Sequence, residues 1–343
     1  LKVAFDMRLF LTTISIFLIL TANSQIKVFS DFESGNVELI EINDTMNSIV
    51  FEPSLKNEQN ITKCWFYFGF TGHNTHEEMT IEYLYVSSVM APENPVYSYD
   101  QKSWHRLTAE KSQINSKLVK HKFKGDTVFF AAGYPYTYTR MIEYVDSIAQ
   151  NQHIDTTTLV YSEGGLRVPL LAIRDSSRNP TQMVWIVGRL HAFEVTLNYT
   201  LEGFIGFLAS ENSKAKRLRK NTIIFIVPMM DVDNVVLGAS GRMQKPVDFN
   251  RDWSSAPHWN AVAAVQRKIA ESNNLYDYRI FLDFHSTYPG TTKPHFGLFN
   301  SYKSKEPERE NLKNYFKIFH KNAGYKLSEI SGFLQKNYSD AYS

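Results

Sequence analysis

Three side chains of this 343-residue chain are of the types that bind metal ions, and they occupy comparable positions. His191 and Glu194 follow a strand-like apolar run at residues 183–187, and His285 follows another at residues 279–284. Imidazole nitrogens and carboxylate oxygens are common zinc ligands, and three of them leave the fourth position of a tetrahedral site open for water. The His-x-x-Glu spacing alone is weak evidence, because ten histidines and 35 acidic residues produce such a pair by chance. The position of the three residues after apolar runs is what favours a catalytic zinc site.

The segment between the two histidines contains Asn250 and Arg251, an amide and a guanidinium in adjacent positions. A guanidinium can bind a carboxylate through two parallel hydrogen bonds, and an amide adds a further donor. Near a zinc ion, these donors would allow an enzyme to recognise a free C-terminus. The alternative is a surface loop whose arginine forms a structural salt bridge, which is the more common role of such a pair.

The candidate ligands depend on an alternation of strands and helices that begins after residue 155. The sequence predicts buried strands and amphipathic helices, with strands at residues 183–187, 222–227 and 279–284 and helices at 193–208 and 261–272. This alternation is typical of an α/β domain with a mixed, largely parallel central sheet and flanking helices. Ligands bind beyond the carboxyl ends of parallel strands, so we expect His191, Glu194 and His285 at one edge of the sheet. The first two are predicted to lie on the first turn of a helix.

Residues 25–150 follow a different pattern, with short runs rich in β-branched and aromatic residues between turn signals. These runs lie at residues 26–29, 37–42, 64–70, 80–86 and 127–132. Short strands at this spacing predict an antiparallel β-sandwich, followed by a helix at residues 138–150. The histidines at positions 73 and 76 lie between two of the runs, which predicts a solvated loop rather than a metal site. We therefore predict a sandwich domain at residues 25–150 and a catalytic domain at residues 151–343.

Residues 1–24 have the pattern of a secretory signal peptide with a few residues upstream of it. Arg8 precedes an apolar run at residues 9–20 that is short for a membrane span, and the small residues Ala22 and Ser24 follow. The pattern predicts translation from Met7, cleavage near Gln25 and an exported protein, either secreted or periplasmic. A buried helix is the alternative interpretation of the same run.

The composition argues against several other classes of protein. The 37 basic and 35 acidic residues give a net charge of only +2, whereas proteins that bind nucleic acids usually have a larger basic excess. A single cysteine, Cys64, excludes a disulfide framework within the chain and a cysteine-rich zinc module. We therefore expect no nucleic-acid partner and no membrane contact beyond the signal peptide, while the oligomeric state stays open.

The candidate residues fall into motifs that resemble the zinc metallocarboxypeptidase (carboxypeptidase A-like) family. These motifs are His191-Ala-Phe-Glu194, Phe249-Asn-Arg-Asp252 and Leu282-Asp-Phe-His285. Four others resemble the cytosolic-carboxypeptidase branch of that family: Phe32-Glu-Ser-Gly-Asn36, Trp65-Phe-Tyr-Phe68, Phe130-Ala-Ala-Gly-Tyr-Pro-Tyr-Thr-Tyr138 and Ile226-Val-Pro-Met229. In that branch a β-sandwich precedes the catalytic domain, so the resemblance implies the same order here.

The resemblance also implies a role for each residue of the candidate metal site. His191, Glu194 and His285 would bind one zinc ion. Asp248 would orient the first of the two histidines by accepting a hydrogen bond from its other ring nitrogen.

Three further residues would act on the substrate, according to the same resemblance. Asn250 and Arg251 would hold its terminal carboxylate. Arg242 would polarise the scissile carbonyl and stabilise the oxyanion, although its spacing from Asn250 departs from the pattern of the branch. The implied reaction is zinc-dependent hydrolysis of a C-terminal peptide bond, or a related amide bond, by attack of zinc-bound water. The implied partners are peptide or protein C-termini.

Two motifs of the chain depart from the pattern of the branch. Ala192-Phe193 stands where the branch has Pro-Gly, and Asp231-Val-Asp-Asn234 stands where it has Asn-Pro-Asp-Gly. Neither change removes a metal ligand, but both alter the walls of the cleft. Substrate preference should therefore not be transferred from the cytosolic enzymes.

The general-base glutamate of the family has no counterpart with strand-like surroundings after His285. The glutamates that remain there are Glu306, Glu308, Glu310 and Glu329. We therefore expect a C-terminally truncated sequence that binds zinc without turnover. Two alternatives stay open: a non-catalytic protein that binds zinc and carboxylates, and an exported binding module whose activity resides in the sandwich.

Overall fold

The structure of the chain, a computed structural model, describes residues 25–56, 63–84, 94–113 and 116–285, together with Glu310, Asn314 and Lys317. The described residues up to position 285 belong to one compact unit, and the three beyond it belong to a second. These three have helical backbone, and the Nζ of Lys317 lies 3.3 Å from the Oδ1 of Asn314. The predicted signal peptide at residues 1–24 lies outside the described residues, and the predicted domain limits stay a prediction.

The first part of the chain forms two five-stranded β-sheets. Their described strands are, in chain order, β1 (Lys27–Phe29), β2 (Glu38–Asn43), β3 (Ser48–Glu52), β4 (Tyr67–Thr71), β5 (Met79–Leu84), β6 (Val96–Ser98), β7 (Trp104–Arg106), β8 (Glu110–Gln113), β9 (Ser116–His121) and β10 (Thr127–Ala131). One sheet has the order β1-β4-β10-β6-β7, and all of its neighbouring strands are antiparallel. The other has the order β2-β3-β5-β9-β8, in which β3 and β5 pair in parallel. The predicted antiparallel sandwich is confirmed, with this one parallel pair added.

Aromatic side chains fill the space between the two sheets. Phe51 of β3 and Tyr83 of β5 come from one sheet, Phe68 of β4 and Phe130 of β10 come from the other, and none of them is exposed. The rings of Phe51 and Phe68 meet edge to face with their centroids 4.8 Å apart. Alternate residues of β5 are buried, as expected of a strand with one face on a core. Large buried rings of this kind supply much of the apolar area that stabilises a sandwich.

The second part of the chain forms a mixed sheet flanked by helices. Its described elements are α1 (Tyr138–Ile148), β11 (Ile154–Tyr161), β12 (Arg167–Ile173), β13 (Gln182–Gly188), α2 (Thr196–Ala209), α3 (Ser213–Arg219), β14 (Thr222–Val227), α4 (Val232–Leu237), α5 (Asn260–Ser272) and β15 (Asp277–Phe284). The strand order is β11-β12-β14-β13-β15, in which β13 pairs in parallel with β14 and β15 and the other neighbours are antiparallel. The predicted mixed α/β sheet is confirmed. Within the described part of the chain, every helix is too short or too polar to cross a membrane.

A turn of the sandwich docks on the end of α4. The Oγ of Ser34 donates a hydrogen bond to a carbonyl of α4 at 2.7 Å, and the Nδ2 of Asn36 donates to the carbonyl of Gly238 at 2.6 Å. Gly238 ends α4 with a φ of 75°, a conformation that favours glycine, and a Cβ there would lie 2.4 Å from the carbonyl oxygen of Gly35. The motif at residues 32–36 is therefore the point where the sandwich joins the α/β part.

We expect Asn36→Ala to lower the free energy of unfolding by about 3 kcal/mol, because it leaves buried backbone groups without their partners. The Asn36 amide is 1% exposed and bonds both Ser54 and Gly238. Urea denaturation measures the change. Asn274→Ala, at an exposed position after α5, is the matched control and should change the free energy of unfolding by less than about 0.5 kcal/mol. Equal changes in the two variants would contradict a structural role for this amide.

The loop after β4 buries a histidine that the sequence predicts to be solvated. His73 is 6% exposed, and the rings of Phe70 and Phe123 lie 5.2 Å and 6.0 Å from its imidazole, whereas His76 is exposed. The prediction is wrong for His73, because aromatic residues from two segments enclose it. Burial lowers the pKa of His73, since the charged imidazolium would lose its hydration.

The free energy of unfolding should therefore decrease as the pH is lowered, because His73 takes up a proton more readily in the unfolded chain. Its pKa is lower in the folded state than in the unfolded state, so the unfolded chain takes up a proton first as the pH falls below about 6.5. The stabilisation is complete above that pH and is lost as the pH falls through the folded-state pKa. We expect His73→Gln to reduce the loss of unfolding free energy between about pH 7.5 and pH 5, measured by urea denaturation. His76→Gln should follow the wild type, and an unchanged pH dependence in His73→Gln would exclude this histidine as the source.

Candidate metal centre

Parallel pairing of β13 with β15 brings the candidate ligands to one edge of the sheet. Val187 pairs with Asp283 at the carboxyl ends of the two strands, and Gly188 with Phe284 is the last pair. His191 and Glu194 lie in the loop that follows β13, and His285 follows β15 directly. The three residues therefore come together although at least 90 residues separate His285 from the other two.

The helix after β13 begins later than predicted. α2 starts two residues after Glu194, so His191 and Glu194 lie in the preceding loop and not on the first helical turn. Two features account for the difference. Arg189 has a φ of 57°, outside the range of a right-handed helix, and the N–H of Phe193 donates to the carbonyl of Ser240 at 3.1 Å.

The ligand atoms of His191, Glu194 and His285 all lie within 4.8 Å of one another. The Nδ1 of His191 is 3.0 Å from the Oε1 of Glu194, and the two imidazole centroids are 5.2 Å apart. His191 and Glu194 are 6% and 4% exposed, and His285 is half-buried. In the part of the chain that the structure describes, this is the one group of three such side chains at metal-binding separation.

Two further carboxylates lie behind the imidazoles. The Oδ1 of Asp248 is 3.7 Å from the Nε2 of His191, and the Oδ1 of Asp283 is 2.7 Å from the Nδ1 of His285. Burial alone would lower the pKa of His191, but the carboxylates of Asp248 and Glu194 outweigh it and raise that pKa to about 9. For His285 burial is likewise outweighed, by Glu194 and Asp283, and the pKa is raised. The sequence analysis did not identify Asp283, although it lies near the end of β15 only two residues before His285, a spacing that places side chains on one face of an extended segment.

Asn250 and Arg251 lie on a short 3₁₀ turn that begins at Phe249, directly after the carboxylate that contacts the first histidine. Aromatic packing holds this turn, because the Phe249 ring stacks on Trp259 with centroids 5.1 Å apart and planes within 6°. The carboxylate of Asp252 accepts hydrogen bonds from two backbone N–H groups before α5, including that of Trp259, at 2.8 Å each. Asn250 is half-buried and Arg251 is exposed, and both lie on the turn that these contacts hold.

Arg242 lies on a second loop, which contacts the loop of the candidate ligands. The hydrogen bond from Phe193 to Ser240 joins the two loops two residues before Arg242. On the other side of Arg242, the Nε2 of Gln244 donates to the buried carboxylate of Asp231 at 3.2 Å. The loop is therefore anchored on both sides of the half-buried arginine.

The donor set fits a zinc ion. Two imidazoles and one carboxylate form a ligand set that occurs in catalytic zinc sites. The Nε2 of His285 is buried and forms no hydrogen bond within the described residues, whereas the Nε2 of His191 faces Asp248. A buried polar atom in that state costs free energy unless a ligand or another partner satisfies it. These observations support a metal centre at this edge of the sheet.

Two models of known protein families match the chain. The cytosolic carboxypeptidase N-terminal domain matches residues 28–132, and the zinc carboxypeptidase model matches residues 141–332. The second match covers more than half of the chain. The chain therefore belongs to the zinc carboxypeptidase family, and the resemblance found in its motifs is confirmed.

Individual relatives agree with the family. The chain is 25% identical to cytosolic carboxypeptidase 6 of Caenorhabditis elegans over 75% of its length and 61% of that protein, and 28% identical to the mouse (Mus musculus) protein of the same name over 66% and 46%. The chain therefore spans about half the length of these relatives. Among solved structures, a putative carboxypeptidase from Burkholderia mallei has the same fold, with a TM-score of 0.75 and 19% identity over 88% of this chain and 78% of that one. A metallo-carboxypeptidase from Pseudomonas aeruginosa gives 0.71 and 21% over 84% and 77%.

These relatives contradict the prediction of an exported, secreted protein with a signal peptide. The matched proteins of Caenorhabditis elegans, mouse and human are cytosolic carboxypeptidases by name. An arginine followed by a short apolar run also occurs in helices that are simply buried, so this pattern could not decide between export and the alternative interpretation. The prediction of export is therefore wrong.

The predicted lack of a general-base glutamate stays a prediction. Glu306, Glu308 and Glu329 lie outside the described residues, and Glu310 is exposed on helical backbone in the second unit. The alternative of a non-catalytic protein that binds zinc and carboxylates therefore stays open.

We expect the whole chain to bind one zinc ion per molecule and His191→Ala to lose it, because two remaining ligands rarely hold zinc in a protein. Elemental analysis of dialysed protein measures the metal content. His258→Ala removes an exposed histidine that lies outside the ligand cluster, and it should keep the full zinc content. Zinc retained in His191→Ala would place the metal elsewhere in the molecule.

Proposed function

We propose that this chain carries the metal site of a zinc-dependent metallocarboxypeptidase, an enzyme that hydrolyses a C-terminal peptide bond, or a related amide bond, of its substrate. Membership of the zinc carboxypeptidase family supports peptide hydrolysis at C-termini in general. The observation that carries the proposal is the approach of His191, Glu194 and His285 to within 4.8 Å of one another. The chain matches only part of the length of its relatives, so the activity of a whole protein of this kind is also part of what we propose.

One zinc ion is the proposed cofactor, held by His191, Glu194 and His285. Zinc in such a site supplies Lewis acidity and lowers the pKa of a water in the fourth position. The chain contributes ligand orientation, because Asp248 and Asp283 lie against the two imidazoles. Carboxylates in this position fix the orientation of the ring and increase its basicity as a ligand.

Recognition of the substrate's terminal carboxylate is assigned to Asn250 and Arg251. They follow Asp248 by two and three residues, so the turn that carries them starts at a residue in contact with the metal site. The stack of Phe249 on Trp259 keeps that turn in place. A guanidinium on a rigid turn can bind a carboxylate at two points with little loss of conformational entropy, which would leave the last peptide bond near the metal.

Stabilisation of the oxyanion is assigned to Arg242. A fixed cation near the carbonyl stabilises the negative charge that develops in the transition state. Support comes from its loop, which is anchored to the ligand loop through Ser240 and to α4 through Gln244 and Asp231.

The identity of the removed residue is not transferred from the cytosolic relatives. Phe193 stands where the branch has glycine, and its ring stacks on the imidazole of His191 with centroids 6.2 Å apart. A bulky ring beside a metal ligand narrows the cleft. We therefore restrict the proposed substrates to peptides or proteins with a free C-terminus.

The zinc-loaded chain should bind a peptide with a free C-terminus more tightly than the same peptide with a C-terminal amide. We expect Arg251→Ala to weaken binding of the free acid by about 10- to 100-fold, which corresponds to the loss of charge-assisted hydrogen bonds, and to remove the preference. Arg251→Lys should recover only part of the affinity, because an ammonium lacks the two-point geometry. Fluorescence titration with a labelled peptide measures both affinities. Arg217→Ala, an exposed arginine on α3, is the matched control and should bind like the wild type.

Mass spectrometry of the same mixtures shows whether the C-terminal residue is released. Release that depends on zinc supports hydrolysis. Binding of the free acid without release supports either the predicted lack of a general base in this chain or the non-catalytic alternative. Equal affinity of the wild type for the free acid and the amide would contradict carboxylate recognition by Asn250 and Arg251.

A further inference from the structure

A buried arginine stands at the base of the loop that carries two of the candidate ligands. Arg189 directly follows β13 and is 2% exposed. Its Nε donates to the carbonyl of Ala192 at 2.7 Å, and its Nη1 donates to the Oδ1 of Asn198 at 2.7 Å and to the carbonyl of Tyr136 at 3.2 Å. One guanidinium therefore joins the loop to α2 and to the segment before α1.

The contact with Ala192 acts directly on the ligand loop. Ala192 lies between His191 and Glu194 in the sequence, so a hydrogen bond to its carbonyl restrains the backbone that carries both side chains. Arg189 itself has a φ of 57°, which turns the chain out of the strand, and its side chain folds back over its own loop. Within the loop, the N–H of Glu194 donates to the carbonyl of His191 at 3.2 Å, and the contact of Arg189 with Ala192 adds a side-chain restraint on the same segment.

The Asn198 side chain extends the same network to the neighbouring strand. Its Oδ1 accepts from Arg189, and its Nδ2 donates to the carbonyl of Pro228, one residue after β14. Asn198 is 1% exposed, so both of its polar ends are satisfied inside the protein. The Asn198 amide therefore connects Arg189, at the base of the ligand loop, to the carboxyl end of β14.

A buried guanidinium needs hydrogen-bond partners, and that of Arg189 has three. All three acceptors are neutral oxygen atoms, two from backbone carbonyls and one from an amide side chain. A side chain without this fork of donors would leave those oxygen atoms without their partner.

We propose that Arg189 is a positioning residue of the zinc site, whose fork of donors holds the ligand loop so that His191 and Glu194 present their ligand atoms together. The inference rests on the proposed function, in which these residues bind zinc. In the sequence, its only signal is a charged residue directly after an apolar strand.

The experiment measures the zinc dissociation constant of the full chain by competition with a chromogenic chelator. Arg189→Met keeps the length of the side chain without its donors, and we expect it to raise the constant by about 10- to 100-fold, the range found when partners of metal ligands are removed. Arg189→Lys keeps the charge but not the fork, so it should recover only part of the affinity. Asn198→Ala removes one of the three acceptors and should raise the constant by a smaller factor.

Arg219 offers a matched control for the cost of losing a buried arginine. It is 1% exposed, and its guanidinium donates to the carbonyls of Leu208 and Ser210 at the end of α2. Arg219→Met should lower the stability of the metal-free chain in urea as Arg189→Met does. Within the described residues, Arg219 has no contact with the ligand loop. The zinc dissociation constant of Arg219→Met should therefore stay within about 2-fold of that of the wild type.

The outcomes separate this inference from the proposed function. A wild type that binds no zinc contradicts the proposed function. A wild type that binds zinc, with an unchanged constant in Arg189→Met, overturns the positioning role alone. Equal losses in Arg189→Met and Arg219→Met, or full recovery in Arg189→Lys, overturn it too, because stability or charge would then explain the effect. If Arg189→Met does not fold, an unchanged constant in Asn198→Ala overturns the inference.

Discussion

The parallel pairing of β13 with its two neighbours is the interaction on which the metal centre depends. Trp185 of β13 is fully buried and stacks on Phe225 of β14 with ring centroids 4.8 Å apart, which fixes the register on one side. On the other side, Val187 is opposite Asp283, so the last residues of β13 and β15 lie next to each other. A slip of one residue would turn Asp283 to the opposite face of the sheet. Packing in the core of the sheet therefore determines the positions of the candidate metal ligands, independently of contacts among the ligands themselves.

The loops beyond this edge have no regular structure, and buried polar groups hold them in place. Asp231, Asn234 and Gln244 form one such network at the start of α4, with Asn234 donating to both of its neighbours. Burial raises the pKa of Asp231 to about 7, so maintaining its charge costs free energy even with these hydrogen bonds. Arg189 is the cationic counterpart under the ligand loop. Networks of this kind define a single arrangement when every member is satisfied, and proteins accept their cost mainly at functional sites.

The sequence predicts the buried strands best, because their apolar runs record burial on both faces. β14 has the predicted limits, and β13 extends the predicted run by one residue at each end. Seven described strands were not predicted, namely β3, β6, β7, β8, β9, β11 and β12. Of these, β6 and β7 have only three residues each, which is too short to show a periodicity. The sequence also predicts too early a start for α2. The N–H of Phe193 donates to the carbonyl of Ser240, a residue far along the chain, so Phe193 does not join the helix.

Residue types were enough to select the candidate ligands but not the groups behind them. His191, Glu194 and His285 stood out because each follows a predicted strand and has ligand chemistry. Arg189 and His73 did not, since a sequence carries no direct sign that a polar residue is enclosed. Burial of that kind is decided by contacts between distant segments, such as Arg189 with Tyr136 or His73 with Phe123. Buried polar residues are therefore harder to predict from sequence patterns than buried strands are.

Charge balance gives a physical reason for a dication at this edge of the sheet. The carboxylates of Glu194, Asp248 and Asp283 lie against two imidazoles, and the charge of Arg189 interacts with that of Glu194. When the carboxylates are ionised and the imidazoles neutral, these groups leave two negative charges in a largely buried volume. The raised pKa values of His191 and His285 express the same imbalance, because two protons on the rings would neutralise it. One divalent cation supplies the same charge, and it would compete with those protons for the imidazole nitrogens.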